Sequence, residues 1–127
     1  MALRRYAQII GVVLILVGII GLVLGNKLFL GILNIDIVED IAHLATGAIY
    51  SYVGFGRTDL ATARNVVLAL GVIYLVIGIL GFIVPMIFGL IPHGYTIFDD
   101  ILHLALGVLS LAVALFYAPD RAEAARG

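Results

Sequence analysis

The chain has no cysteine and no tryptophan, only three prolines, and very little charge. Without cysteine there is no disulfide, no thiolate metal site and no cysteine nucleophile, and the redox compartment is left open. Charged residues make up 12% of the 127 positions, where a soluble domain carries about 25%. The net charge is −1 and no basic block occurs, so the sequence offers no nucleic-acid surface. What is abundant is grease: 64% of the residues are hydrophobic and the mean hydropathy is +1.24. This is the composition of a membrane protein, short enough that 1–127 forms a single transmembrane domain.

Four apolar stretches, Tyr6–Leu24, Ile37–Phe55, Arg64–Val84 and Ile97–Tyr117, reach the roughly 20 residues that a helix needs to cross a bilayer. The first follows Arg4 and Arg5, yet a long apolar core runs straight into Gly25-Asn26-Lys27 with no small-x-small cleavage site, so it is expected to be a retained helix. Residues 118–127, after the last span, read as a short polar tail. With four spans both ends lie on one side. Arg4, Arg5, Arg57, Arg64, Arg121 and Arg126 fall on that side and only Lys27 on the other, which places both termini in the cytoplasm. The acids divide the opposite way: Asp36, Glu39, Asp40, Asp99 and Asp100 lie outside, Asp59, Asp120 and Glu123 inside.

The chain repeats itself. An offset of 60 residues aligns the first copy, 4–55, with 64–115 of the second copy, 64–117, and Gly11–Val53 matches its partner segment at 14 of 43 positions. Gly11, Gly18, Gly21, Asp40, His43 and Gly47 fall on Gly71, Gly78, Gly81, Asp100, His103 and Gly107, and Arg4 falls on Arg64. Two unrelated greasy helices would not keep glycines, acid and histidine in one register, so the sequence reads as a tandem duplication of a two-helix hairpin. Two spans per copy insert both copies the same way up, related by a pseudo-two-fold along the membrane normal. The expected fold is therefore an all-α integral membrane protein of four transmembrane helices. Gly11, Gly18, Gly21 and Gly25 share one narrow face of the first helix, a packing seam of small residues repeated in the third.

The repeated polar clusters EDIAHLATG and DDILHLALG open the second and fourth helices. Asp36-x-x-Glu39 and Thr96-x-x-Asp99 match the capping-box pattern, an acceptor followed three residues later by an acid. Asp40 and Asp100 fall in the first turn, where the helix dipole favours negative charge. Capping does not explain His43 and His103. Each lies roughly 10 Å along its helix at 1.5 Å per residue, at a depth where polar groups face the bundle interior with a partner. Asp40 and Asp100, three residues earlier on the same face, are the expected partners, with a group across the bundle as the alternative. On this view the histidines are structural.

Two cofactor alternatives stand beside it. One is a divalent metal ion on His43, His103, Asp40 and Asp100, which fills half of the di-metal carboxylate template of helix bundles. The other is haem b between His43 and His103. In an up-down bundle the second and fourth helices are diagonal, about 13 Å apart for neighbours 8–10 Å apart, too wide for direct contact between short polar side chains. The acidic rim, with Lys27 alone to pair propionates, favours metal over haem. His93, in GLIPHGYT, has no counterpart in the first copy and reads as solvated. Tyr6, Phe55 and Tyr117 read as interface anchors, while Tyr50, Tyr52 and Tyr74 lie within spans.

With the duplication and both histidine motifs in view, the chain resembles the bacterial four-helix membrane family catalogued as domain of unknown function 4383. The likeness is carried by GVVLILVGIIGLVLG and GVIYLVIGILGFIVP in the odd helices. In the even helices LFLGILNIDIVEDIAHLATG and TIFDDILHLALG carry it. In that family an asparagine usually stands three residues before each histidine, where this chain has Asp40 and Asp100. The resemblance implies the four-helix fold and a bacterial inner (cell) membrane location, and no activity.

No Ser–His–Asp ordering or phosphate-binding glycine loop occurs, so the leading expectation is a small non-enzymatic membrane protein without a cofactor. It would act as a structural or accessory subunit, meeting the lipid bilayer and other membrane subunits or copies of itself. The metal- or haem-binding bundle is the alternative, and a small transporter the third.

Overall fold

A computed structural model describes residues 2–25, 27–29, 33–91 and 94–116. Four helices dominate it: α1 (Ala2–Leu24), α2 (Ile37–Phe55), α3 (Leu60–Ile83) and α4 (Ile97–Phe116). Their bounds follow the apolar stretches to within a few residues, α1 and α3 beginning about a turn earlier than the stretches suggest. Three of them, α1, α3 and α4, are long and apolar enough to cross a membrane. Tyr117, the tail 118–127 with its two arginines, and His93 lie outside the described residues.

The ends of the helices are set by local chemistry. Asp36 caps α2, its carboxylate accepting from the Glu39 amide at 2.9 Å. Asp59 caps α3 in the same way, accepting from the Thr62 amide at 2.6 Å. That hydrogen bond, made to the charged form, holds the exposed Asp59 carboxyl below the usual aspartate range. At α4 the box is reciprocal: Thr96 Oγ1 accepts from the Asp99 amide at 3.1 Å, and Asp99 Oδ2 accepts from the Thr96 amide at 2.8 Å. Past α1, Gly25 adopts φ +78, the left-handed conformation that lets the chain leave a helix at low cost. A Cβ there would meet nothing within 4 Å, so Gly25 ends the helix and does not belong to the seam. The loop beyond it carries an addition to the all-helical expectation, a two-stranded antiparallel ribbon of β1 (Lys27–Phe29) and β2 (Leu33–Ile35).

The helices pack as two tight pairs, α1 with α2 and α3 with α4, and the pairs touch each other far less. Glycine makes the close approach. A Cβ on Gly47 would lie 2.9 Å from the Ile15 amide nitrogen, and one on Gly107 would lie 2.6 Å from that of Leu75. Gly18 lies against Leu44 and Gly78 against Leu104; Gly21 lies against the carboxylate of Asp40 and Gly81 against that of Asp100. Each of these contacts of the first pair recurs in the second, sixty residues on. Toward the end where α1 and α3 begin, the pairs meet through Leu3, Ala7, Tyr50, Val53, Ala63, Val67 and Ala114, all buried. Hydroxyls join them there: Ser110 Oγ lies 2.6 Å from Tyr50 Oη and 2.7 Å from Tyr6 Oη. Tyr6 thus points its hydroxyl into the bundle and is no interface anchor. Tyr52 and Phe55, at 66% and 63% exposure, do face outward.

Candidate functional site

At the end where α2 and α4 begin, polar side chains gather between the two pairs. Asn34, the middle residue of β2, organises them. Its side-chain nitrogen donates to Asp36 Oδ2 at 2.7 Å and to Glu39 Oε2 at 2.8 Å, while its backbone amide donates to the Asp99 carboxylate at 3.1 Å. One residue of the first hairpin therefore ties the starts of both even helices. Asn34 was not singled out by the sequence reading. The signal available was its contrast with Gly94, the aligned residue of the second copy, which has no side chain to do this.

Glu39 and Asp99 occupy equivalent positions in the repeat and behave differently. Asp99 turns back to its own cap, as the capping-box pattern predicts. Glu39 keeps its amide in the cap and sends its longer side chain inward, where Oε1 lies 4.0 Å from His103 Nε2. His43, one turn further along α2, completes the group. Donor atoms of Glu39, His43 and His103 all lie within 4.8 Å of one another. The even helices thus come close enough for direct side-chain contact, against the wide diagonal expected. The pairs lean together at this end instead of forming a square bundle.

Asp40 and Asp100 stand elsewhere. Each sits in the seam of its own helix pair against a glycine, Gly21 or Gly81, and neither is hydrogen-bonded to a histidine among the described residues. The aspartate–histidine pairs expected on each helix face are not formed. His43 Nδ1 and His103 Nδ1 are buried without a hydrogen-bond partner, as are Asp100 Oδ1 and Asn34 Oδ1. Two rings hold His103 in place. Tyr95 meets it edge-on at 4.9 Å between centroids and Tyr74 stands 5.9 Å away, its hydroxyl 2.6 Å from Thr46 Oγ1. Burial pushes the Tyr95 phenol well above its ordinary value, so it stays a neutral wall.

The cluster heads a cleft of about 470 Å³ between α1 and α4. Its far walls are aliphatic, and among the described side chains no lysine or arginine lines it. A bundle of four helices is the arrangement that the sequence resemblance implies. Residues 4–116 match the protein family described as Domain of unknown function (DUF4383). The chain belongs to that family. DUF4383 covers all four helices apart from the first two residues of α1. No curated protein and no solved structure matches the chain, so the chemistry of this DUF4383 member is argued from its own residues.

Proposed function

We propose that the chain is a non-enzymatic four-span membrane protein, built by duplication of a helical hairpin, that holds one divalent transition-metal ion between its hairpins near the outer surface. The observation that carries this is the convergence of Glu39, His43 and His103. Two imidazoles and a carboxylate form a mixed nitrogen–oxygen set suited to Zn²⁺, Co²⁺ or Fe²⁺, and harder ions such as Mg²⁺ prefer oxygen alone. Donors bound at about 2.0–2.1 Å to a tetrahedral ion stand about 3.3 Å apart, so the three side chains close inward on binding. A carboxylate this near both imidazoles suits a bare cation better than a macrocycle. Relative to the sequence expectation the ligand set changes: Glu39 enters, and Asp40 and Asp100 leave.

Membrane placement rests on the exposed surface. α2 has the weakest hydropathy of the four helices, but its outward positions Ile41, Ile49, Tyr52 and Phe55 are apolar and exposed, while Glu39 and Asp40 are buried. Its polar content is thus turned away from lipid, which supports a fourth span. The duplication is supported by the glycine contacts that recur sixty residues apart, and a bacterial inner membrane by the family resemblance.

The test is metal stoichiometry. Protein stripped with a chelator and reloaded with Zn²⁺ should retain one ion per chain by elemental analysis, and Co²⁺ should give a visible ligand-field band. Glu39→Gln and His103→Asn should each weaken binding by about tenfold or more. Asp40→Asn and Asp100→Asn should leave it unchanged. If the native chain holds no stoichiometric metal, the structural or accessory subunit becomes the better reading.

A further inference from the structure

The cleft is longer than the metal cluster needs, and its two ends differ in kind. Along α1 its wall runs from Ile10 through Val17 to Ile20, about 15 Å at 1.5 Å per residue. Opposite, α4 contributes Leu102, Leu106 and Leu109. Val17, Ile20, Leu102 and Leu109 are each between 43% and 55% exposed, so the cleft opens sideways along its length. A void lying parallel to the helices, greasy throughout and polar at one end only, has the shape of a single hydrocarbon chain carrying a small head.

The polar end specifies the head. Asn34 is 5% exposed and its side-chain nitrogen is engaged twice, by carboxyl oxygens of Asp36 and Glu39. Its orientation is thereby fixed, and Oδ1 is left as a buried acceptor with no partner among the described residues. Asn34 lines the cleft together with Glu39, Asp40 and Asp99, and among the described side chains no lysine or arginine does so. A buried acceptor without a donor is costly, and a phosphate or carboxylate head would add negative charge beside acids. A hydroxyl donates a hydrogen bond and carries no charge.

We infer that the cleft between α1 and α4 binds a single-chain neutral amphiphile, its tail lying between the two helices and its hydroxyl donating to Asn34 Oδ1. The occupant is drawn from the uncharged lipids of the surrounding bilayer. The inference does not require the metal, because the acceptor and the hydrocarbon walls are separate from the three donor atoms.

The experiment uses the full chain, stripped of metal, in a bile-acid-derived detergent that has no alkyl tail to compete. Dodecan-1-ol and dodecanoate are offered separately and bound adducts are read by native mass spectrometry. One dodecan-1-ol should bind per chain, and dodecanoate should bind at least about tenfold more weakly, a factor worth about 1.4 kcal/mol. Val17→Trp, which fills the cleft from a lipid-facing position, should cut alcohol binding by a similar factor. Leu109→Trp tests the opposite wall should the first variant fail to fold. Equal binding of dodecanoate, binding unmoved in a folded tryptophan variant, or no alcohol adduct on folded protein would each overturn the inference. Zn²⁺ stoichiometry measured on parallel samples keeps the two proposals apart: V17W should hold as much metal as its parent.

Discussion

Glu39 shows how far a residue can depart from its motif while satisfying it. The capping-box pattern correctly locates the start of α2, and the Glu39 amide is indeed held by Asp36. Nothing in the pattern says where the rest of the side chain goes. That is decided by Asn34, which precedes Asp99 by 65 residues in the chain and yet is bonded to the starts of both even helices. The histidines were legible because depth in a membrane helix demands an explanation. Their true neighbour was not, because the lean between the two helix pairs is a tertiary feature. A simpler residue, Asp59, gives a prediction with a definite sign. Its carboxyl is held below the ordinary aspartate range by the Thr62 amide. The stabilisation is therefore present above the unfolded value, about 3.9, and is lost as pH falls through the lower folded value. Asp59→Ala should lower the thermal midpoint at neutral pH, and the gap from the parent should shrink on acidification. A gap independent of pH would contradict the cap.

At the scale of the element, the seam glycines were readable from the sequence in type and register, but not in rank. A methyl group added to Gly107 would lie 2.6 Å from the Leu75 amide nitrogen and 2.9 Å from the Gly71 carbonyl, backbone atoms that move only if the helices part. One added to Gly21 would meet the carboxylate of Asp40, which can turn aside. Gly107→Ala should therefore cost about 1–3 kcal/mol, the usual range for overpacking, and Gly21→Ala less. Reversible unfolding in mixed micelles, followed by circular dichroism, orders the two. The reverse order would place the tight contact on the side chain. Gly25 was grouped with the seam because periodicity alone cannot tell the last residue of a face from the first residue after it.

At the scale of the molecule, the four helices and their bounds were legible because hydropathy and length suffice for them. The leaning of the pairs, and so the cleft, was not, because both follow from where the hairpins touch. Topology can be checked directly: Phe88→Cys should label with an impermeant maleimide from outside the cell, and Arg57→Cys only after permeabilisation. Labelling of both from one side would overturn the four-span reading.

Arg4 and Arg64 belong to the set of arginines on which the proposed orientation rests, and they also grip the ends of the even helices. Arg4 donates to the Val53 carbonyl at 2.9 Å and to Thr58, and Arg64 donates to the Ala114 carbonyl at 2.7 Å. The insertion machinery weighs only the charge of these side chains, whereas the folded bundle uses the fork of the guanidinium. Lysine carries the first property without the second. Arg4→Lys with Arg64→Lys should therefore yield a protein that enters the membrane the right way round and then melts early. A chain of this kind would separate two decisions, which way to face and how to stay closed, that the proposed topology assigns in part to the same two residues.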